Sequence, residues 1–326
     1  MTIDEIKKLI RNVTENDTNL LKGSYSSIDT FSNCPLSYQF KYRDEKYPQT
    51  SSLPMDIGTI CHLVLELKGK MIMQNEEVDY DYLKTVLYDG YTEITEKNSE
   101  PIWGVTSLKR KYWEEWGTPD NKSGMTYDEK IVIFENLVLT TRMENKDWTI
   151  LGLEVPFEFV YDNKIVIKGF IDRVDINKIT KEIRITDYKT SKAVYPDTKI
   201  KTPLQHFIYD LACVMLYDKL PQYHEYDFVL INKIQGKING VCSKGYLKRG
   251  KNKLDKLIAG IENGENSPKP TPLCYWCAYN EDTPHGDKEY KGMCKYNSLW
   301  TPTNNNFSVK NSFGLEKKEE IRKLIF

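Results

Sequence analysis

Asp187 and Lys189 stand two residues apart in KEIRITDYKT, a segment whose alternation predicts a β-strand, so their side chains leave the same face of it. Ile183 and Ile185 share that face and belong in a core. A carboxylate and an ammonium at the end of an apolar strand need partners, because burying either one unpaired is costly. A divalent ion would satisfy Asp187, and Asp172 on the preceding strand could be its second ligand. Oxygen donors of this kind suit Mg²⁺ or Mn²⁺. Lys189 beside such an ion could orient and activate a water, or stabilise charge developing on a phosphate. A lone D-x-K triplet also fits an ordinary ion pair at a strand end. This one sits on the third strand of a meander whose second strand carries GFIDRVD.

Four of the seven cysteines form a second group with chemical potential. Cys274-x-x-Cys277 brings two thiolates into one loop turn, the usual start of a metal site, and Cys294 could add a third after 16 intervening residues. Cys34, in NCPLSY, is remote from them in sequence. Cys213, in the apolar run LACVML, reads as a buried small hydrophobe. An odd cysteine count without a secretion signal argues against a disulfide framework.

Several elements must position these groups. Over 24–42, Ser26 and Asp29 give a capping-box-like helix start with Ile28 and Phe31 facing inward, and Pro35 suits the first turn of a second helix carrying Tyr38 and Tyr42. A loop containing Pro48, Ser51, Ser52 and Pro54 leads to a helix over DIGTICHLVLELKG, with Ile60, Val64 and Leu67 on one face. Residues 70–150 have interrupted helical patterning and no chemical motif, and Thr126 with Glu129 caps a helix running to about Met143. This stretch reads as a helical insertion that shapes a groove. From 151 the period changes to two. LGLEVPFEFVY and KIVIKGFIDRVDI are joined at Asp162-Asn163, a hairpin signal. After the third strand come a helix over 203–219, begun by Pro203 and carrying Gln205 and Tyr209, and a further strand, HEYDFVLINKI.

The net charge is −1, with 40% hydrophobic and 29% charged residues, an ordinary balance for a water-soluble chain. Cations are concentrated locally: Lys244, Lys248, Arg249, Lys251, Lys253 and Lys256 face only Asp255. That run fits either a solvated helix face or a phosphate-binding one. No apolar run approaches membrane-spanning length, and MTIDEIKKLIRN lacks a signal-peptide core, so the expected compartment is the cytoplasm. No G-x-x-x-x-G-K-[ST] occurs, so any ATP-driven unwinding would come from a partner.

Taken in order, GTICH at 58–62, Glu154, GFIDRVD at 169–175, DYKT at 187–190 and QHFIY at 205–209 resemble the PD-(D/E)XK nuclease superfamily, in its RecB-like and CRISPR-adaptation-type iron–sulfur exonuclease branch. The resemblance implies metal ligation by His62, Asp172 and Asp187, with the Tyr188 carbonyl as a further ligand and Glu154 binding through water. It makes Lys189 the catalytic lysine, with Gln205 and Tyr209 facing the site to position Lys189 or the DNA backbone. His62 also fits a core histidine. As a ligand it leans the site toward Mn²⁺, since nitrogen is uncommon around Mg²⁺. In the same branch one N-terminal and three C-terminal cysteines hold a [4Fe–4S] cluster, which assigns Cys34, Cys274, Cys277 and Cys294. The gap between Cys277 and Cys294 is longer than in the branch and contains His285, so a Zn²⁺ site is the alternative.

The expected fold is therefore α/β: a restriction-endonuclease-like core, a central mixed β-sheet flanked by helices, with a helical insertion and a cysteine–metal clamp joining the N- and C-terminal segments. The expected layout is one nuclease domain over 1–326. It divides into N-terminal helices (24–69), insertion (70–150), core (151–262), cysteine segment (263–300) and tail (301–326). The resemblance implies hydrolysis of DNA by a metal-activated water, as an exonuclease on single strands or duplex ends, in a bacterial or phage-encoded protein. A helicase, recombinase or single-strand-binding protein is the expected partner. The alternatives are a structure-specific endonuclease and a silent or partner-dependent DNA-binding subunit of a recombination or integration complex.

Overall fold

A computed structural model describes residues 1–48, 51–93, 100–140, 143, 145–196, 204–235, 244–281 and 286–295. α1 (Ile3–Lys7) opens on a Thr2–Glu5 capping box, and the short strands β1 (Ile10–Arg11) and β2 (Leu21–Gly23) follow. α2 (Tyr25–Asn33) begins one residue before Ser26, which therefore lies inside the helix and not at its cap; Ile28 and Phe31 are buried as expected. Cys34 is the N-cap of α3 (Pro35–Tyr38), and the chain continues as a π-helical turn over Gln39–Arg43. α4 (Leu53–Met73) takes Pro54 into its first turn, where a missing N–H costs nothing, so Pro54 is helical rather than part of the preceding loop.

The stretch expected as a helical insertion contains α5 (Tyr80–Asp89), a short ladder of β3 (Gly90–Tyr91) with β4 (Ile102–Trp103), then α6 (Val105–Lys111), α7 (Trp113–Trp116) and α8 (Tyr127–Leu139). The Thr126–Glu129 capping box is present, and α8 ends at Leu139, short of Met143. Buried Lys68 of α4 donates to the Val138 and Thr140 carbonyls, which a helix C-terminus leaves unpaired. Lys68→Met keeps the aliphatic packing and strips those bonds. It is expected to lower stability by about 1–3 kcal/mol, read as an earlier midpoint in urea unfolding with unchanged slope.

Asp162 and Asn163 both adopt positive φ, 47° and 53°, the turn geometry that matches strand twist. They join β5 (Trp148–Tyr161) to β6 (Ile165–Asn177), and β7 (Ile183–Lys189) adds antiparallel to β6. α9 (Leu204–Tyr217) then crosses to β8 (Tyr223–Phe228), which pairs parallel with β7. Pro203, the expected start of that helix, lies outside the described residues. The single strand expected over HEYDFVLINKI is instead a reversal. After Phe228 comes a 3₁₀ turn, Asn232 takes φ 51°, and β9 (Lys233–Gln235) returns antiparallel to β8. Asparagine tolerates that left-handed backbone, which breaks the β pattern.

The sheet runs β1-β5-β6-β7-β8-β9, with β2 parallel on β6, and is mixed as expected. β2 covers Ile165–Ile167 of β6 and β7 covers Arg173–Ile176, so the β6 edge over 168–172 has no ladder partner between them among the described residues. Helices flank the sheet. Tyr188 packs into a core with Ile57, Ile60 and Val64 of α4 and Phe134 of α8, whereas α9, buried from Leu204 to Val214, meets Asp187 through Gln205.

The chain forms two compact units, one of Met1–Tyr25 with Ser51–Leu254 and one of Ser26–Thr50 with Asp255–Phe326. α10 (Lys244–Glu262) contributes residues to both. In the second unit, segments far apart in sequence meet. The Lys269 ammonium donates to the Ser32 carbonyl (2.7 Å), the Tyr279 hydroxyl donates to the Lys46 carbonyl (2.7 Å), and Phe40 and Tyr279 have ring centroids 5.1 Å apart. Among the described residues no helix is long and apolar enough to cross a membrane.

Candidate active site

Where β7 parts from β6, the Asp172 side chain replaces the backbone ladder: its Oδ2 accepts the Tyr188 N–H at 2.8 Å. Opposite, the β5–β6 pairing passes from Leu153↔Arg173 to Val155↔Ile171, skipping Glu154 and Asp172. Glu154 has φ 44°, which an L-residue with a long side chain adopts at a cost of about 1–3 kcal/mol, a strain found mostly at functional sites. Its carboxylate joins Asp172 and His62. His62 Nδ1 lies 3.8 Å from Glu154 Oε1 and 3.7 Å from Asp172 Oδ2. Two donors each about 2.1 Å from one Mg²⁺ can be at most about 4.2 Å apart, so one ion fits between His62 and either carboxylate. Among the described residues this trio is the one group of three donors with all ligand atoms within 4.8 Å.

His62 arrives from α4 because Gly58, one turn earlier, lets the helix close on the end of β7. A Cβ at Gly58 would lie 3.2 Å from Thr190 Oγ1, tighter than ordinary contact. Burial works against an imidazolium at His62, but Asp172, Glu154 and Asp187 outweigh it and raise the pKa. Burial raises Asp172 to about 6; His62 and Lys189 oppose that shift, while Asp187 and Glu154 add to it.

Asp187 stands beside the trio and outside it. Its Oδ1 accepts from Gln205 Nε2 at 2.8 Å, and its Oδ2 meets the Lys189 ammonium without a well-aligned hydrogen bond. Gln205 Nε2 also donates to the Tyr209 hydroxyl at 2.9 Å, so both expected α9 residues face the site. Burial disfavours charge on Lys189, yet Asp187, Tyr195 and Asp172 hold it protonated. The Lys189 ammonium also lies 5.7 Å from the Tyr226 ring centroid. The Tyr188 side chain fills the core behind the site, its ring edge-on to that of His62 with centroids 6.0 Å apart, and its N–H donates to Asp172.

A cleft of about 460 Å³ opens beside the trio, lined by Gly58, His62 and Glu66 of α4, by Glu154 and Thr190, and by Ile102 of β4. Glu66 is not among the expected residues, although its i, i+4 spacing from His62 puts it on the same helix face. Arg173 and Asp175, inside GFIDRVD, act behind the site. Fully buried Asp175 accepts from Arg173 Nε (2.7 Å) and from Arg184 Nε and Nη2 (3.0 and 2.8 Å), tying β6 to β7 where Asp172 and Asp187 leave them.

In the second unit, burial pushes the Cys277 thiol up to about 11, and the charges of Cys294, Cys274 and Cys34 push in the same direction. Cys34, Cys274 and Cys294 therefore lie near enough to Cys277 to act on its charge, and none of the four is in a disulfide. His285, the alternative zinc ligand, lies outside the described residues.

A sequence profile described as the PD-(D/E)XK nuclease superfamily matches residues 22–281, most of the chain. Nucleases of this superfamily use divalent metals, which the donor trio could bind. The chain is also 27% identical over 197 residues to a subunit of the ATP-dependent helicase/deoxyribonuclease of Clostridium tetani, an alignment covering 53% of this chain and 16% of that protein.

Proposed function

The chain belongs to the PD-(D/E)XK nuclease superfamily, and on that premise we propose that it is a metal-dependent deoxyribonuclease acting in the cleft beside His62, Glu154 and Asp172. The observation that carries this reading is the convergence of His62, Glu154 and Asp172, the first two lining the cleft, beside the Asp187–Lys189 pair. A bound Mg²⁺ or Mn²⁺ lowers the pKa of a coordinated water and offsets phosphate charge. His62, Glu154 and Asp172 would hold the ion, and Asp187 and the Tyr188 carbonyl would be its further ligands. Lys189, kept charged by its carboxylate neighbours, orients the attacking water and meets the charge that develops on the phosphate. Gln205 fixes the Asp187 carboxylate, and Tyr209 fixes Gln205; both are positioning residues.

The preferred mode in this reading is exonucleolytic, on single strands or duplex ends. End-labelled linear DNA and closed circular DNA, incubated with Mg²⁺, Mn²⁺ or EDTA, test it. Metal-dependent loss of linear strands with circles spared supports an exonuclease; nicked or linearised circles make the enzyme an endonuclease. A second reading draws on the name of the Clostridium tetani relative, part of a helicase/deoxyribonuclease, of which this chain spans 16%. In it the nuclease works beside a helicase partner. Recombinases and single-strand-binding proteins are the other candidate partners.

The exposed side of α10 supports a nucleic-acid substrate. Lys248, Arg249 and Lys253 face solvent while Tyr246, Leu247 and Leu254 are buried. Gly250 lets α10 rest on α9, since a Cβ there would lie 2.5 Å from the Phe207 ring, so the cations stand on a helix packed against the one that bears Gln205. Reversing all three to Glu is expected to flatten the salt dependence of single-strand binding by about 2 in log–log slope, at about 0.7 per phosphate contact. An unchanged slope removes this face from the interface.

In the second unit, Cys34, Cys274, Cys277 and Cys294 hold a [4Fe–4S] cluster in this reading. A single Zn²⁺ held by the same cysteines is the alternative.

A further inference from the structure

The β3–β4 ladder leaves a tryptophan in solvent next to Ile102, which lines the cleft. Trp103 is 58% exposed although its backbone is fixed, paired with Gly90 in the ladder whose other strand residue, Ile102, lines the cleft. The Lys111 ammonium lies 5.8 Å from the Trp103 ring centroid and 4.8 Å from that of Tyr112. Lys111 and the Tyr112 hydroxyl both engage Asp56 Oδ2, at 3.2 and 2.9 Å, tying this strip to the first turns of α4. There Met55, 63% exposed, lines the cleft itself. Single exposed apolar side chains are common and need no explanation. Here Trp103 and Tyr112 gather around one cation, and Ile102 and Met55, the chain neighbours of Trp103 and Asp56, line the cleft. Tyr112 packs against the core while Trp103 does not, and the hydrogen bonds of Lys111 and Tyr112 to Asp56 hold the strip in place.

Aromatic faces beside a cation are what unpaired nucleobases and their phosphates require, and they offer little to a duplex, whose base faces are already stacked. We propose that Trp103, flanked by Lys111, is a stacking platform for unpaired bases of the DNA strand whose phosphate enters the cleft. The proposal rests on the nuclease reading and names its substrate as single-stranded DNA. Lys111 meets the backbone of the same strand, and the platform sets the approach of the scissile phosphate to the donor trio.

The test separates binding from chemistry. In EDTA, the affinity of wild type, Trp103→Ala and Trp103→Phe is measured by anisotropy with labelled oligo(dT), an abasic strand of equal length and a blunt duplex. The expected result is a loss of about 5- to 150-fold for Trp103→Ala on oligo(dT), corresponding to about 1–3 kcal/mol per stacked base, largely restored by Phe. Duplex affinity should stay within about twofold, and the abasic strand should bind wild type as weakly as oligo(dT) binds Trp103→Ala. Equal oligo(dT) binding by wild type and Trp103→Ala, or equal losses on single strand and duplex, overturns the platform. Hydrolysis of bis(p-nitrophenyl) phosphate with Mn²⁺ by wild type reads the metal centre separately from the binding assay. No hydrolysis of it or of DNA by wild type would remove the nuclease reading, a failure distinct from that of the binding assay.

Discussion

Asp172→Asn is expected to lower DNA hydrolysis at least about 1,000-fold, some 4 kcal/mol of transition-state stabilisation, while the protein folds as wild type does. The amide oxygen can still accept the Tyr188 N–H that Asp172 Oδ2 now accepts, and its volume is the same. What disappears is one negative charge among His62, Glu154 and Asp187, the charge that makes the trio a cation site. Burial and the neighbouring carboxylates already strain that charge, raising Asp172 to about 6. Without metal, the variant should therefore melt no earlier than wild type. Mn²⁺ should raise the melting temperature of wild type and leave the variant unmoved, because an ion that binds only the native state stabilises by mass action. Activity within tenfold of wild type, or an equal Mn²⁺ shift in both, would remove Asp172 from the metal site.

Cys277→Ser should have the largest structural effect. The second unit is built from segments more than 200 residues apart in sequence, joined in part by side-chain bonds to backbone carbonyls such as those from Lys269 and Tyr279. A metal held by cysteines of both segments would tie them together, so metal-binding energy becomes folding energy. Purified without oxygen, wild type should be brown and absorb broadly in the visible. Cys277→Ser should be colourless, with new protease cleavage within 26–50 and 255–295. A colourless wild type containing stoichiometric zinc would replace the cluster with a single ion. A Cys277→Ser protein with wild-type protease resistance would make the cysteines dispensable for the fold.

The strand meander was legible in the sequence because its signals were local: alternation, the Asp162-Asn163 turn, and Ile183 and Ile185 on the face of Asp187. The order of the sheet was not, since β1 and β2 are two- and three-residue strands with no pattern of their own. Asn232 likewise turned one expected strand into a hairpin, a reversal that only its left-handed backbone reveals. Within the site, Gln205 and Tyr209 lie where helical spacing put them. Glu154 was harder. The β5–β6 register sets it across from Asp172, but it sits there with a positive φ, and no residue pattern encodes that strain. The Trp103–Lys111–Asp56 strip depends on contacts across three elements, in a stretch where sequence patterning indicated only a groove-shaping insertion.

Lys189 is the residue that separates a nuclease from any other cation-binding protein, because the remaining site residues could serve either. Single-turnover release of nucleotides from end-labelled single-stranded DNA, with Mn²⁺ saturating, compares wild type with Lys189→Ala. Wild type should release nucleotides with metal and none in EDTA, and the variant should be at least about 100-fold slower with Mn²⁺ and DNA still bound. Equal rates for the two proteins, or release that persists in EDTA, would rule out catalysis by a bound metal and Lys189.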